Sequence, residues 1–186
     1  WRIDIGTNSE DEIRACCPDG SGGFYLSGWT TGDFGGASAG GLDAWLARFD
    51  ADGGIAWVRQ LGTAAGDIAY AVVADSAGGV VVGGVTGGPL ASAQMGLGDI
   101  WLARFDATGA ELWMDQFGST APDVVEALSA DAVGGVFAFG STAGSLGGQN
   151  KGQFDAWLAR YDGSCNSGTT YCVASSTSIA GCQASI

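Results

Sequence analysis

The segment Asp43-Ala44-Trp45-Leu46-Ala47-Arg48-Phe49-Asp50 returns as Asp99-Ile100-Trp101-Leu102-Ala103-Arg104-Phe105-Asp106 and again as Asp155-Ala156-Trp157-Leu158-Ala159-Arg160-Tyr161-Asp162, a fixed period of 56 residues. The same shift superposes Trp1, Trp57 and Trp113; Gly6, Gly62 and Gly118; Asp11, Asp67 and Asp123; Asp19, Asp75 and Asp131; Thr30, Thr86 and Thr142. Gly22-Gly23, Gly78-Gly79 and Gly134-Gly135 coincide too, without a gap. A period of this size marks a repeat architecture, in which each unit is one supersecondary element that buries its faces against its neighbours. The periodicity divides the chain into units 1–56, 57–112 and 113–162, followed by a non-repeating stretch, 163–186.

In the middle copy, four apolar runs cover roughly 67–75, 80–86, 99–105 and 111–117. Such lengths suit strands and are short for helices. Asp75-Ser76-Ala77-Gly78-Gly79 and Asp106-Ala107-Thr108-Gly109 join successive runs with the residues that hairpin turns require, which predicts antiparallel neighbours. The runs do not alternate cleanly. Ile100-Trp101-Leu102-Ala103 and Val80-Val81-Val82 are continuously apolar, which implies sheets covered on both faces. The predicted fold is all-β, each unit being a four-stranded antiparallel blade of a β-propeller. Because a closed propeller usually has four to eight blades, three blades predict either a partial propeller with further blades upstream or a ring completed by oligomerisation. The start at Trp1, with no Met or leader before it, favours the first. Residues 1–6 repeat the fourth-strand segment, so they are expected to complete the last blade.

Composition agrees with a folded β protein. Hydrophobic residues make up 46% and charged residues 15%, and 34 Gly stand against 3 Pro. The net charge of -13 repels phosphate and anionic membranes, so nucleic acid is not an expected partner. The apolar runs are broken by Gly and Asp too often for a membrane helix, so membrane insertion is not expected either. There is no His, and neither a Gly-x-Ser-x-Gly elbow nor a phosphate loop, so no catalytic residue and no cofactor is expected.

The Asp-Ala-aromatic-x-Ala-Arg-x-Asp pattern, its following Gly turn and the Trp strand ending in Gly resemble the bacterial SBBP-type β-propeller repeat. Val72-Val73-Ala74-Asp75, Gly78-Gly79 and Val80-Val81-Val82-Gly83-Gly84 extend the likeness, which covers residues 1–162. The resemblance implies a secreted or surface-anchored bacterial protein that presents a binding surface and has no common catalytic residues. Residues 103–113, Ala-Arg-Phe-Asp-Ala-Thr-Gly-Ala-Glu-Leu-Trp, also resemble the tryptophan-docking repeat of quinoprotein dehydrogenases, some of which carry a vicinal disulfide beside the quinone. Cys16-Cys17 is such a vicinal pair, but three blades cannot enclose that cofactor, and the pair falls at the mid-strand positions Val72-Val73.

Five cysteines suit an exported, oxidised protein. The tail has few large apolar residues and would need disulfides to order it, Cys172 with Cys182 being the most economical pair. Cys165 is then left to bridge Cys16 or Cys17 if the first and last blades are neighbours.

Asp50, Asp52 and Asp106 are calcium candidates by residue type, but their loops lack dense carboxylate spacing, and hydrogen-bonded turns are expected instead. Arg48, Arg104 and Arg160 each precede an Asp by two positions, which predicts a repeated structural ion pair or edge cap. Six of the 7 Trp occupy repeat positions among apolar residues and read as inter-blade core. Trp29 is the exception, its equivalents being Val85 and Ser141, and is the candidate ligand-contacting aromatic. The expected role is a structural, adhesive or protein-binding scaffold outside the cell. Its partners would be another protein or further blades or copies of itself. The alternatives are a glycan-binding propeller and a fragment of a quinone-dependent dehydrogenase.

Overall fold

The computed structural model describes residues 2–76, 78–131 and 133–161, together with the backbone of two short strands at 170–173 and 183–184. No helix occurs among the described residues. The first sheet contains β1 (Asp11–Pro18), β2 (Phe24–Thr30), β3 (Asp43–Phe49) and β4 (Ile55–Leu61). The second contains β5 (Asp67–Ala74), β6 (Val80–Thr86), β7 (Asp99–Phe105) and β8 (Glu111–Phe117). The third contains β9 (Asp123–Ala130), β10 (Val136–Thr142) and β11 (Asp155–Tyr161), extended by β12 (Thr170–Val173) and β13 (Gln183–Ala184). In each sheet, every strand pairs antiparallel with the one before it.

The strands of the middle copy fall where the sequence predicts them, but the sheets are cut differently from the periodic units. Trp57 opens the second unit in sequence, yet lies in β4 and pairs with Arg48 of the first sheet. The breaks between sheets fall in the links 62–66 and 118–122. The N-terminal segment also departs from expectation, since residues 2–10 form no strand and do not complete the third sheet. Ile5 instead packs, with Phe34 and Val58, against the Leu26, Trp45, Ala47 and Phe49 cluster of the first sheet. β12 takes the edge of the third sheet, through the register pairs Ala159↔Val173 and Arg160↔Cys172.

The three sheets stack face to face as an unclosed, propeller-like series. β5 lies over β1, β2 and β3, and β9 lies over β5, β6 and β7. Alternation along each strand sends neighbouring side chains to opposite faces. In β7, Trp101, Ala103 and Phe105 point back into a core with Tyr25, Ala44 and Leu46 of the first sheet. Ile100 and Leu102 point forward into a core with Val125, Val136, Ala138 and Trp157 of the third. We call these the leading and trailing faces. Both are apolar because both are covered, which explains the continuous run Ile100-Trp101-Leu102-Ala103.

Each first strand carries a bulge at one repeat position. Register slips between Ile13 and Ala15 and between Ala69 and Ala71 leave Arg14 and Tyr70 unpaired, and the slip opposite Phe139 and Gly140 leaves Glu126 unpaired. A bulge bends its strand and turns the extra side chain out of the ladder. The Arg14 guanidinium lies 5.5 Å from the centre of the Tyr70 ring, so bulge meets bulge between successive sheets.

Leu102 is fully buried between two sheets. Leu102→Ala is expected to lower the unfolding free energy by about 3 kcal/mol. Ile55→Ala, at an exposed strand start, should change it by less than about 0.5 kcal/mol in the same urea titration.

Candidate functional site

The stack has two rims. One carries the short turns between first and second strands and between third and fourth. The other carries the twelve-residue loops 31–42, 87–98 and 143–154, which join second to third strands, and the links between sheets.

On the turn rim, the first Asp of each hairpin organises its own backbone. Asp19 Oδ1 accepts N–H bonds from Ser21 (2.8 Å) and Gly23 (2.9 Å), and Asp131 Oδ1 accepts from Val133 (2.9 Å) and Gly135 (2.6 Å). The other oxygen receives an arginine from the third strand. Arg48 meets Asp19 at 2.7 Å, Arg104 meets Asp75 at 2.8 Å and Arg160 meets Asp131 at 2.5 Å. The predicted ion pair therefore exists in every copy, with its partner 29 residues upstream rather than two downstream. Asp50 and Asp106 are engaged by their own turns. Asp50 Oδ1 accepts from the N–H of Asp52 (3.0 Å) and Gly54 (2.7 Å). Asp106 Oδ1 accepts from the N–H of Thr108 (2.8 Å) and Ala110 (3.0 Å) and from the Thr108 hydroxyl (2.7 Å). Gly53 and Gly109, with φ of 84° and 78°, supply the left-handed residue of each turn. Asp50, Asp52 and Asp106 are not gathered into a metal cluster, and no group of three or more His, Cys, Asp or Glu able to hold an ion occurs among the described residues.

On the loop rim, a glutamine from the fourth strand clamps each of the first two loops. Gln60 Oε1 accepts the N–H of Phe34 (2.7 Å), while its Nε2 donates to the Gly32 carbonyl (2.9 Å) and to Asp43 Oδ2 (2.7 Å). Gln116 repeats this with Ala91, Gly88 and Asp99. Asp43 and Asp99 also accept the N–H of Ala39 and Met95, at 2.8 Å each. The links are tied similarly: Asp67 Oδ2 accepts from the N–H (2.6 Å) and hydroxyl (2.9 Å) of Thr63. Burial raises the pKa of Asp67 despite these bonds. The Asp43 and Asp99 carboxylates press against the links so closely that only glycine fits there. A Cβ at Gly62 would stand 2.1 Å from Asp43 Oδ1, and one at Gly118 would stand 2.6 Å from Asp99 Oδ1. The glutamine clamp escaped sequence reading although Gln60 and Gln116 obey the 56-residue shift. A polar residue in an apolar strand, repeated in register, was the available signal.

Of the six repeat tryptophans, Trp1 lies outside the described residues. Trp45, Trp101, Trp113 and Trp157 are buried, and Trp57 is partly buried between the first two sheets. Trp57 Nε1 donates to the Ala107 carbonyl (3.0 Å), where Arg48 Nη1 also donates (3.1 Å), tethering the first sheet to a turn of the second. Trp29 is half-buried near the loop rim, and its carbonyl accepts from Trp45 Nε1 (3.0 Å) while its own indole N–H has no partner. Cys16 and Cys17 are free thiols. Consecutive strand residues point to opposite faces; Cys16 is exposed, while Cys17 packs against the core between the first two sheets, and burial raises its pKa to about 11. The vicinal bridge of the quinoprotein reading is thus not formed. Cys165 and Cys182 lie outside the described residues, and Cys172 is described only as a backbone member of β12.

Large apolar side chains nevertheless stand out from the loop rim: Leu97 is 79% exposed in the second loop, where Met95 is exposed too, and Phe154 is 64% exposed in the third. Comparison with family models returns no match. Comparison with curated proteins returns none either.

Two outcomes follow from this geometry. Burial opposes ionisation of Asp19, but hydrogen bonds from Arg48 and Ser21 outweigh it and hold the carboxyl well below its ordinary value of 3.8. A depressed folded-state pKa contributes stability above the ordinary value, and that stability is lost as pH falls through the carboxylate range. Arg48→Met should therefore cost about 2 kcal/mol at pH 7 and flatten the decline in stability between neutral pH and pH 3. Urea titrations across that range measure both effects. Gly62→Ala should destabilise the chain by roughly 1–3 kcal/mol through its collision with Asp43, readable as a lowered melting temperature.

Proposed function

We propose that this chain is a non-enzymatic repeat scaffold of an exported or cell-surface protein, and that it presents its loop rim to a protein partner. The observation that carries the reading is the contrast between strands and loops. The third strands repeat almost residue for residue, whereas the loops 31–42, 87–98 and 143–154 differ in every copy. Two of these loops are held by the same glutamine and aspartate clamp. A constant frame carrying variable, preordered loops is the arrangement of a recognition surface. Leu97, Met95 and Phe154 supply the exposed apolar contacts that a protein partner would bury. The resemblance to SBBP-type repeats supports the extracellular or surface placement. A second reading, glycan binding, is favoured by Trp29, whose half-buried ring lies close to the same rim.

Binding of the immobilised chain to a panel of purified surface proteins and to a glycan array tests the two readings together. A protein ligand whose affinity falls at least tenfold with Leu97→Asp or Phe154→Asp, the melting temperature being unchanged, is the expected result. Glycan binding lost with Trp29→Ala would replace it with the second reading.

A further inference from the structure

The repeat allows the covering of each sheet face to be read from the preceding copy. Tyr25, Ala44 and Leu46 in the first sheet and Val81, Ile100 and Leu102 in the second occupy the same repeat positions, and all six are buried against the sheet that follows. Their third-copy equivalents are Phe137, Ala156 and Leu158. All three are exposed, Phe137 at 36% and Leu158 at 47%, with Phe139 standing beside them. The opposite end of the stack has the complementary gap. Ala69 and Val72 of β5 are buried in the core shared with the first sheet, and Val125 of β9 in the core shared with the second. At the same positions of β1, Ile13 is 49% exposed and Cys16 is also exposed. Among the described residues no sheet follows the third or precedes the first; on the first sheet Ile5 and Phe34 already cover Trp45 and Phe49, so its leading face is open along β1. Together the two ends offer complementary parts of an interface that the chain already builds twice.

We propose that the trailing face of the third sheet docks on the leading face of the first sheet in a second copy of this chain, and that the reciprocal contact closes a ring of six sheets. The bulge residues give the charge complementarity for this occupant. Arg14, which pairs with Glu12 of its own strand at 3.2 Å, reaches Tyr70 from one first strand to the next, and Glu126 is the bulge residue at the far end of the same row. Continuing the row from Glu126 brings it to Arg14 of the second copy, an anion against a cation. The match matters in a chain of net charge -13 with only 7 basic residues, because two such molecules otherwise repel. The contact is heterologous, head to tail, and two copies close it; six blades fall within the usual four to eight of a propeller.

Light scattering and sedimentation of the purified 186-residue chain test the proposal, the expected particle having twice the 18.6 kDa chain mass. Leu158→Asp and Ile13→Asp should each reduce the mass to that of one chain while leaving the far-ultraviolet circular dichroism unchanged, since both side chains are already exposed in a single copy. Glu126→Arg should weaken association severalfold, and adding Arg14→Glu should restore it. A wild-type particle of one chain at every concentration overturns the proposal and assigns both end faces to other sheets. An open series of larger masses overturns ring closure. A dimer that survives Ile13→Asp but not Leu158→Asp overturns the head-to-tail pairing, and failure of the double variant to recover overturns the alignment of Glu126 with Arg14.

Discussion

A β-sheet with two apolar faces cannot exist alone in water, and this requirement organises the whole chain. Trp45 and Leu46, or Trp101 and Leu102, are adjacent in sequence and project to opposite sides, so each third strand needs a partner sheet in front and another behind. The middle sheet has both. Its neighbours do not, and they meet the requirement differently: the first draws Ile5 and Phe34 over its leading face, while the third leaves Phe137, Phe139 and Leu158 in solvent. Burial on the central sheet is the direct result of adjacent apolar side chains that alternation sends to two covered surfaces.

Much of this was legible in the sequence because the physics that sets it is local and periodic. The 56-residue shift, the Asp and Gly turns and the continuous apolar runs located the four strands of the middle copy and predicted the covering of both its faces. What was not legible depended on distance in three dimensions. Arg48 lies two residues from Asp50, and sequence proximity suggested that pairing, yet the meander brings Asp19 alongside while Asp50 is turned into its own hairpin. Similarly, residues 1–6 match a fourth strand in composition, but pairing requires an open edge within reach, and Ile5 finds an apolar face closer at hand. Periodicity locates the repeat without fixing where a unit starts: a unit counted from Trp57 begins within a sheet that ends at Leu61.

The candidate site shows the same division. Sequence reading expected the repeat tryptophans to be core and the turn aspartates to be bonded within their turns, and in the structure Trp45 and Trp57 place their indole N–H groups on backbone carbonyls while Asp50 accepts turn amides. The residues that order the loop rim are glutamines, whose amides satisfy a loop carbonyl, a loop N–H and a carboxylate at once. Glutamine has no chemistry that would attract attention in a strand. Its importance emerges only when the loop backbone is asked where its hydrogen bonds go.

The meander order of every sheet also bears on how the molecule is made. Each strand pairs with the one synthesised just before it, and each sheet rests on its immediate predecessor. No described strand must wait for a distant segment, so the search that slows many β proteins is shortened. A chain of this kind can acquire structure progressively from its N-terminus as it leaves the ribosome.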